Sequence, residues 1–526
     1  MFHAENTNDP KEVRNWKIHL LGFGVSMSAV AVGFDTAFIG GTQALVSFKR
    51  DFGLDVQSQY ERDTLSGNIV STFQAGCVVG SLITFPIVER WGRRKGMILS
   101  SLVFCIGAAL MTASSGMLPL IYAGRAITGL AIGGASLIVP VYIAETSPPS
   151  IRGRLVGVFE VLSQAGGMLG FWINYIVDRT IDPAGPTQWL IPVGLQLAPG
   201  AIFFFVSLFA PESPRWLCKK DNWDQARKNL VLLRNLPGDH EYILEELTGI
   251  REQIELEQLK SGGSSLKANL KEMTLKGNRN RVGIGLLLMA CQNLTGVNIL
   301  TYYSPRIFET LGLTGTSTKL FATGCYGIAK TLGMVIFAVW LVERVGRRKA
   351  LIYGAFVGSI PMWYIGGYVM KADPETAAAE GRFTQSGWGY LAMVCVYLYG
   401  LVYCMTWQGT TWVYCSEIFP IGIRMFCVAI TTADQWLWSF IISRSTPYMI
   451  TSLGYGTYFF FAALMILMGI WSFFCVPETK GLTLEDMDRL FGVPERIESE
   501  GMKRTGELEK GSDELIDSVD NANMRR

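Results

Sequence analysis

Asp35, Arg125, Glu160, Lys330 and Asp434 all stand inside long apolar runs. A charge in the core of a bilayer is costly, so such residues are candidates for function. Asp35 lies roughly 27 Å along its run at 1.5 Å per residue. Arg125 lies about 7 residues from the opposite end of its own run, so the two fall at similar depth. An apolar site biases a carboxylate toward protonation, and a nearby guanidinium opposes that bias. Such a pair can take up a proton on one side and lose it when the helices rearrange; the simpler alternative is a static ion pair. Lys330 needs a partner too, either an internal acid such as Glu160 or Asp434, or a carboxylate on a ligand. Arg444 falls near the end of its run, where a long side chain snorkels to the surface. Gln292, Asn293, Asn298 and Tyr302 follow one another along one side of a further run, allowing for a local break near Gly296. Amides both donate and accept, which is what recognition of a polyol requires; hydrogen bonding between helices is the plainer use.

The elements that would position these groups are membrane helices. The chain has 526 residues, 49% hydrophobic and only 17% charged, against about 25% charged in soluble domains. Twelve stretches are long and apolar enough to span a bilayer. They fall at 18–42, 66–88, 96–116, 118–143, 155–178 and 189–210, then at 282–308, 318–342, 349–370, 387–414, 425–448 and 456–475. The predicted fold is an all-α membrane protein, with twelve transmembrane helices in two six-helix halves and a cytoplasmic helical loop between them. The expected units are a leader at 1–17, halves at 18–210 and 281–476, a linker at 211–280, and a tail at 477–526, disordered after 492. The linker carries amphipathic helical patterns and a flexible SGGSS at 261–265. The first span is too long for the core of a signal peptide and serves as an uncleaved anchor. Arg and Lys cluster after spans 2 and 8, so the positive-inside rule puts those loops and both termini in the cytoplasm.

The chain repeats itself. VERWGRRK at 88–95 matches VERVGRRK at 342–349. ETSPPSIR at 145–152 matches EIFPIGIR at 417–424, and PESPR at 211–215 matches PETKG at 477–481. Three matched motifs in order indicate duplicated halves, an architecture of transporters whose site lies between the repeats. The motifs set acids beside arginines: Glu89, Arg93 and Arg94; Glu145 and Arg152; Glu212 and Arg215; Glu343, Arg347 and Arg348; Glu417 and Arg424; and Glu478. Ion pairs between the halves would latch a cytoplasmic gate and break when it opens. Each exposed pair is weak, under about 1 kcal/mol, but a cluster biases a balanced equilibrium.

Taken together, these motifs resemble the sugar porter family of the major facilitator superfamily. The matching stretches are Gly33-Phe34-Asp35, VERWGRRK, Gly124-Arg125, PESPR, QNLTGVNILTYY at 292–303, SEIFP at 416–420, Gln435-Trp436 and PETKG. AFIGGTQALVSF, LVGVFEVLSQAGGMLGFWINY, GIAKTLG and SRSTP look most like the fungal quinate-permease branch. The resemblance implies proton coupling through Asp35 with Arg125. It assigns Gln292, Asn293 and Asn298 to the substrate site, Trp412, Gln435 and Trp436 to substrate contact and packing, and Tyr302 with Tyr303 to the outer gate. Glu160 stands where hexose porters usually carry Gln, with Gln164 one turn on. Glu160 and Lys330 together are similar to the quinate branch, and Glu160, Gln164, Gln292, Asn293, Asn298, Lys330, Trp412, Gln435 and Trp436 are expected to bind substrate.

The expected function is therefore proton-coupled import of a monosaccharide or a sugar-like acid such as quinate, by alternating access. A passive facilitator is the first alternative, and a nutrient sensor on the same fold the second. No catalytic constellation and no GxxxxGK[ST] nucleotide loop is present, so neither an enzyme nor an ATP-driven pump is expected. The net charge of +2 offers no field for nucleic acid. Ten scattered Cys and three His give no metal spacing, and no cofactor or metal is expected. The partners are then the substrate, a proton and the lipid bilayer. The expected working unit is a monomer, and the family implies the plasma membrane.

Overall fold

A computed structural model describes residues 10–55, 57–261, 266–275, 277–374, 377, 386–480, 487 and 490–491. Among them there are helices and no strands. This is one of the two ways a chain in lipid can satisfy its own backbone. Eleven helices are long and apolar enough to cross a membrane. The twelfth span is present but broken, so no single piece of it reaches the required length. The result is a twelve-helix membrane protein of two six-helix halves.

In the first half, span 1 is Trp16–Val25 and Met27–Ala44, offset at Ser26. Spans 2 to 5 are Gln59–Trp91, Arg93–Thr112, Leu118–Thr146 and Pro149–Thr180. Span 6 is Thr187–Leu195 with Leu197–Phe209. In the second half, span 7 is Asn278–Leu294, Val297–Tyr302 and Ser304–Thr310. Gly296 breaks it, with φ at +88°, a conformation that only glycine adopts freely. Spans 8 and 9 are Thr316–Ile336 and Arg347–Ala372. Span 10 runs Gly387–Tyr403, a π turn at Cys404–Gln408, then Gly409–Ile418. Spans 11 and 12 are Arg424–Leu453 and Gly456–Cys475.

Small residues let these helices touch backbone to backbone, as membrane helices do. Gly80 of span 2 and Gly133 of span 4 face each other's helices so closely that a Cβ would come 2.1 Å from the Leu130 and Cys77 carbonyls respectively. Gly33 of span 1 is tighter still, with the Ser163 carbonyl of span 5 at 1.7 Å from a built Cβ. These contacts make the first half a rigid block.

The linker supplies helices Pro214–Lys219, Trp223–Arg234, Glu241–Ser261 and Leu266–Met273. Arg234 is fully buried and anchors them. Its Nε donates to Glu246 at 2.9 Å and its Nη1 to the Thr146 carbonyl at 2.7 Å, tying the linker to the end of span 4. Most of the SGGSS stretch and the tail beyond Phe491 lie outside the described residues.

Candidate functional site

The two ends of the bundle differ. One carries the GRR loops and the linker and is called the basic end here; the other is the far end. The acid–arginine motifs form twin networks at the basic end. In the first half, Arg93 donates through Nε and Nη2 to both oxygens of Glu145, each at 3.0 Å, and through Nη2 to Glu89 at 3.3 Å. Glu212 accepts from the backbone N–H of Arg93 at 2.9 Å and of Arg94 at 3.2 Å. In the second half, Arg347 reaches Glu417 at 2.6 and 3.2 Å. Glu478 accepts from the N–H of Arg347 at 2.8 Å and of Arg348 at 3.2 Å. Gly92 and Gly346 have positive φ, and a Cβ on either would strike Glu212 or Glu478. Ser213 and Thr479 repeat the duplication with donors to Glu145 and Glu417.

The pairs of Arg93 and Arg347 run within each half, whereas the sequence suggested pairs between the halves. Glu145 and Arg93 sit at the ends of neighbouring spans of one bundle, so they meet without the other half. Arg152 and Arg215 belong to the same end, and Arg424 donates to the Phe419 carbonyl at 3.3 Å. The side chain of Glu343 lies outside the described residues.

The halves are joined at the far end instead. Asp63 of span 2 is buried, and its Oδ1 accepts from Arg306 Nη1 of span 7 at 2.5 Å. Thr451 of span 11 donates to the other Asp63 oxygen at 2.5 Å and accepts from Arg306 Nη2 at 2.6 Å. Tyr448 and Thr64 share a hydrogen bond of 2.9 Å. Arg444 does not simply snorkel: its Nη1 faces the Thr64 carbonyl at 3.4 Å and its guanidinium lies over the Tyr448 ring. Tyr302 and Tyr303 are buried. The Tyr303 hydroxyl donates to the Ser443 carbonyl at 2.9 Å, and the Tyr302 carbonyl meets Gly40 of span 1. Nothing in the sequence flags Asp63, one of three adjacent charges at 61–63, or Arg306, and neither has a twin in the repeat. Replacing Asp63 with Asn should loosen this closure by about 1.5–3 kcal/mol, the range for a hydrogen bond to a charged group. Spin labels at Asp182 and Ser452 should then show a larger share of long far-end distances; an unchanged distribution counts against a latch.

Between the halves, below the closed far end, lies a cavity of about 140 Å³, measured as the room open to the centre of a water molecule. A water's share of the liquid is about 30 Å³, so the cavity has room for several waters or a small ring-shaped molecule. Glu160, Gln164, Asn293, Asn298, Lys330, Trp412, Gln435 and Trp436 all line it, as does Tyr302. Asn298 donates to Asn293 Oδ1 at 2.7 Å, and Asn293 Nδ2 in turn donates to the Gln435 carbonyl at 3.1 Å. The Gln435 side-chain carbonyl has no hydrogen-bond partner. Trp436 is pinned edge-on against Phe73, 5.9 Å between centroids. Gln292 is the exception: it is buried outside the lining and donates to the Gln408 carbonyl at 3.1 Å, bracing the π turn of span 10.

Lys330 is 9% exposed, and its Nζ donates to Thr301 at 3.3 Å. Among the described residues no carboxylate lies within 4 Å of it. Glu160 has the Gln408 side chain beside it instead. Asp434 sits by Trp438 and Cys415, off the cavity. An internal ion pair for Lys330 is therefore not formed.

Asp35 and Arg125 do meet, and both are fully buried in the first half. Asp35 Oδ1 accepts from Arg125 Nη1. Arg125 is also held from span 2, by the Ile69 carbonyl at 3.1 Å and by the Phe73 face at 4.5 Å. Among the described residues no hydrogen bond forms to Asp35 Oδ2, and the Thr128 hydroxyl lies beside the same carboxylate. The neighbours of Asp35 on span 1, Gly33, Thr36 and Ala37, line the cavity.

Residues 21–491 match the model of the family described as sugar (and other) transporter. The chain belongs to that family. Among relatives of this sugar-family transporter is a quinate permease of Emericella nidulans, 42% identical over 490 residues, 93% of this chain and 91% of that one. A probable quinate permease of Aspergillus flavus is 44% identical, over 93% and 90% of the two chains. The solved structure of the proton:xylose symporter XylE bound to 6-bromo-6-deoxy-D-glucose is similar, with a TM-score of 0.73 and 26% identity. It covers 90% of this transporter and 99% of that chain. A partially occluded inward-open form of XylE from E. coli gives 0.72 and 25%, over 89% and 99%. The twelve-helix arrangement of this sugar-family chain is thus the major facilitator fold, and its relatives are transporters, not enzymes.

Proposed function

We propose that the protein imports a ring-shaped polyhydroxylated molecule, a monosaccharide or a sugar-like acid such as quinate, together with a proton. The observation that carries this reading is the buried Asp35–Arg125 pair, in which Arg125 holds only one of the two carboxylate oxygens. The basic end faces the cytoplasm under the positive-inside rule, the far end faces outward, and the protein works as a monomer in the plasma membrane.

Asp35 Oδ2 takes the proton. Neutralising the carboxylate removes the Coulomb term that holds span 1 to span 4, while Arg125 stays fixed by Ile69 and Phe73. Span 1 can then shift its cavity-lining residues with the rest of the wall. Amides on span 7 and Gln435 on span 11 exchange hydrogen bonds with hydroxyls, and the indole faces of Trp412 and Trp436 suit the C–H side of a ring. The twin networks at the basic end keep each half rigid, so the halves rock as bodies about the bound molecule. The names of the relatives, quinate permeases and a proton:xylose symporter, support both parts of this reading.

Uptake by transporter-deficient cells tests it. Labelled quinate, galacturonate, glucose and xylose are offered separately, with and without a protonophore. At least one should accumulate, and the protonophore should cut that accumulation to near equilibrium. Uptake of all four that ignores the protonophore points to a facilitator.

A further inference from the structure

The cavity holds an acid and an amine that do not pair with each other. Lys330 comes from span 8 in the second half and Glu160 from span 5 in the first. An ammonium has three donors, and Lys330 uses one, on the weak acceptor Thr301. The ring of Tyr326 lies 5.7 Å away and offers only its π face. Three other buried cations are matched by carboxylates, Arg93 by Glu145, Arg125 by Asp35, and Arg234 by Glu246, while Arg281 donates to the Met487 carbonyl. Unlike the first three, Lys330 has no carboxylate within 4 Å. A buried charge without a counter-ion is expensive, and here the unpaired one faces a cavity that receives a ligand.

We propose that Lys330 is the receptor for a carboxylate on the substrate, so that the protein selects ring compounds bearing one carboxylate and several hydroxyls. This rests on the transport reading above and narrows its substrate class. The acid group lies on Lys330 and Thr301, and hydroxyls at the other side of the ring donate to Glu160. One ligand thereby bridges the two halves and satisfies a charge on each. A neutral sugar leaves Lys330 unmatched, and a dicarboxylate brings a second negative charge against Glu160.

The test is exchange in proteoliposomes with no proton gradient, which separates it from proton coupling. Labelled quinate inside is exchanged against unlabelled quinate, quinate methyl ester, galacturonate or galactose outside. Quinate or galacturonate should exchange at least tenfold better than its neutral counterpart. Lys330→Gln should bring that ratio close to one, and Lys330→Arg should retain most of it. The ester series uses the native protein, so a variant that fails to fold does not remove the test. Equal use of acid and neutral forms overturns the proposal, as does a ratio that survives in Lys330→Gln. Net uptake of the acid at a steady lumenal pH, measured separately, would leave this proposal standing and sink symport instead. If none of the four compounds exchanges, both fall.

Discussion

Asp35→Asn is expected to abolish accumulation while leaving exchange intact. Asn fills the same space and can still accept from Arg125 through its side-chain carbonyl, so the buried site stays packed and hydrogen-bonded. It cannot take up or release a proton. Moved with a neutral sugar across 100 mV, a proton supplies about 2.3 kcal/mol, roughly fifty-fold accumulation; moved with a monocarboxylate the pair is electroneutral, and the pH gradient alone supplies about tenfold per unit. Either factor should fall to about one in the variant. Exchange at equal substrate on both sides needs no proton, and its rate should stay within a few-fold of the native value. The measurement is the plateau of labelled substrate in energised vesicles alongside the exchange rate. A variant that still concentrates substrate would remove Asp35 from the mechanism.

Gly40→Val is expected to stop turnover by a different route. A Cβ at position 40 would lie 2.1 Å from the Tyr302 carbonyl and 2.9 Å from its carbon. Both atoms are backbone, and they belong to the other half of the protein. No rotamer change relieves that clash; the halves must part at the far end. Gly33 makes a useful contrast, because its close neighbour Ser163 lies in its own half. A side chain at 33 should damage the fold of that half, whereas one at 40 should spare both halves and forbid only their closure. Net uptake should drop at least a hundredfold, with a long distance between labels at Asp182 and Ser452. Binding of substrate from the far side should persist within a few-fold. Normal turnover with native distances would mean that the contact does not gate.

Much of this was legible in the sequence because bilayers impose simple rules. Apolar runs marked the spans, and the repeated GRR, acid–arginine and PE motifs marked the halves. The break in span 7 was foreshadowed by Gly296, and Asp35 and Arg125 stood out as charges where charges are costly. The ends of helices were less legible. Span 2 begins at Gln59, well before its apolar run, because Ser58 and Glu61 form a capping box in water.

Partners were the least legible feature. Glu145 and Arg152 stand seven apart in sequence, yet Glu145 pairs with Arg93, 52 residues away, because the bundle brings the ends of spans 3 and 4 together. The same folding removes Asp434 and Gln292 from the cavity and leaves Lys330 inside it with no acid in contact. Periodicity states which face of a helix is polar. Which polar group lies opposite is decided by packing, as with Asp63 and Arg306.

The central claim is that substrate and proton move together. The protein would be placed in vesicles with a pH-sensitive dye inside, and quinate added outside at equal starting pH. The lumen should acidify only when substrate is present, with the native protein and not with Asp35→Asn. Substrate entering at a steady lumenal pH would contradict the account and leave a facilitator.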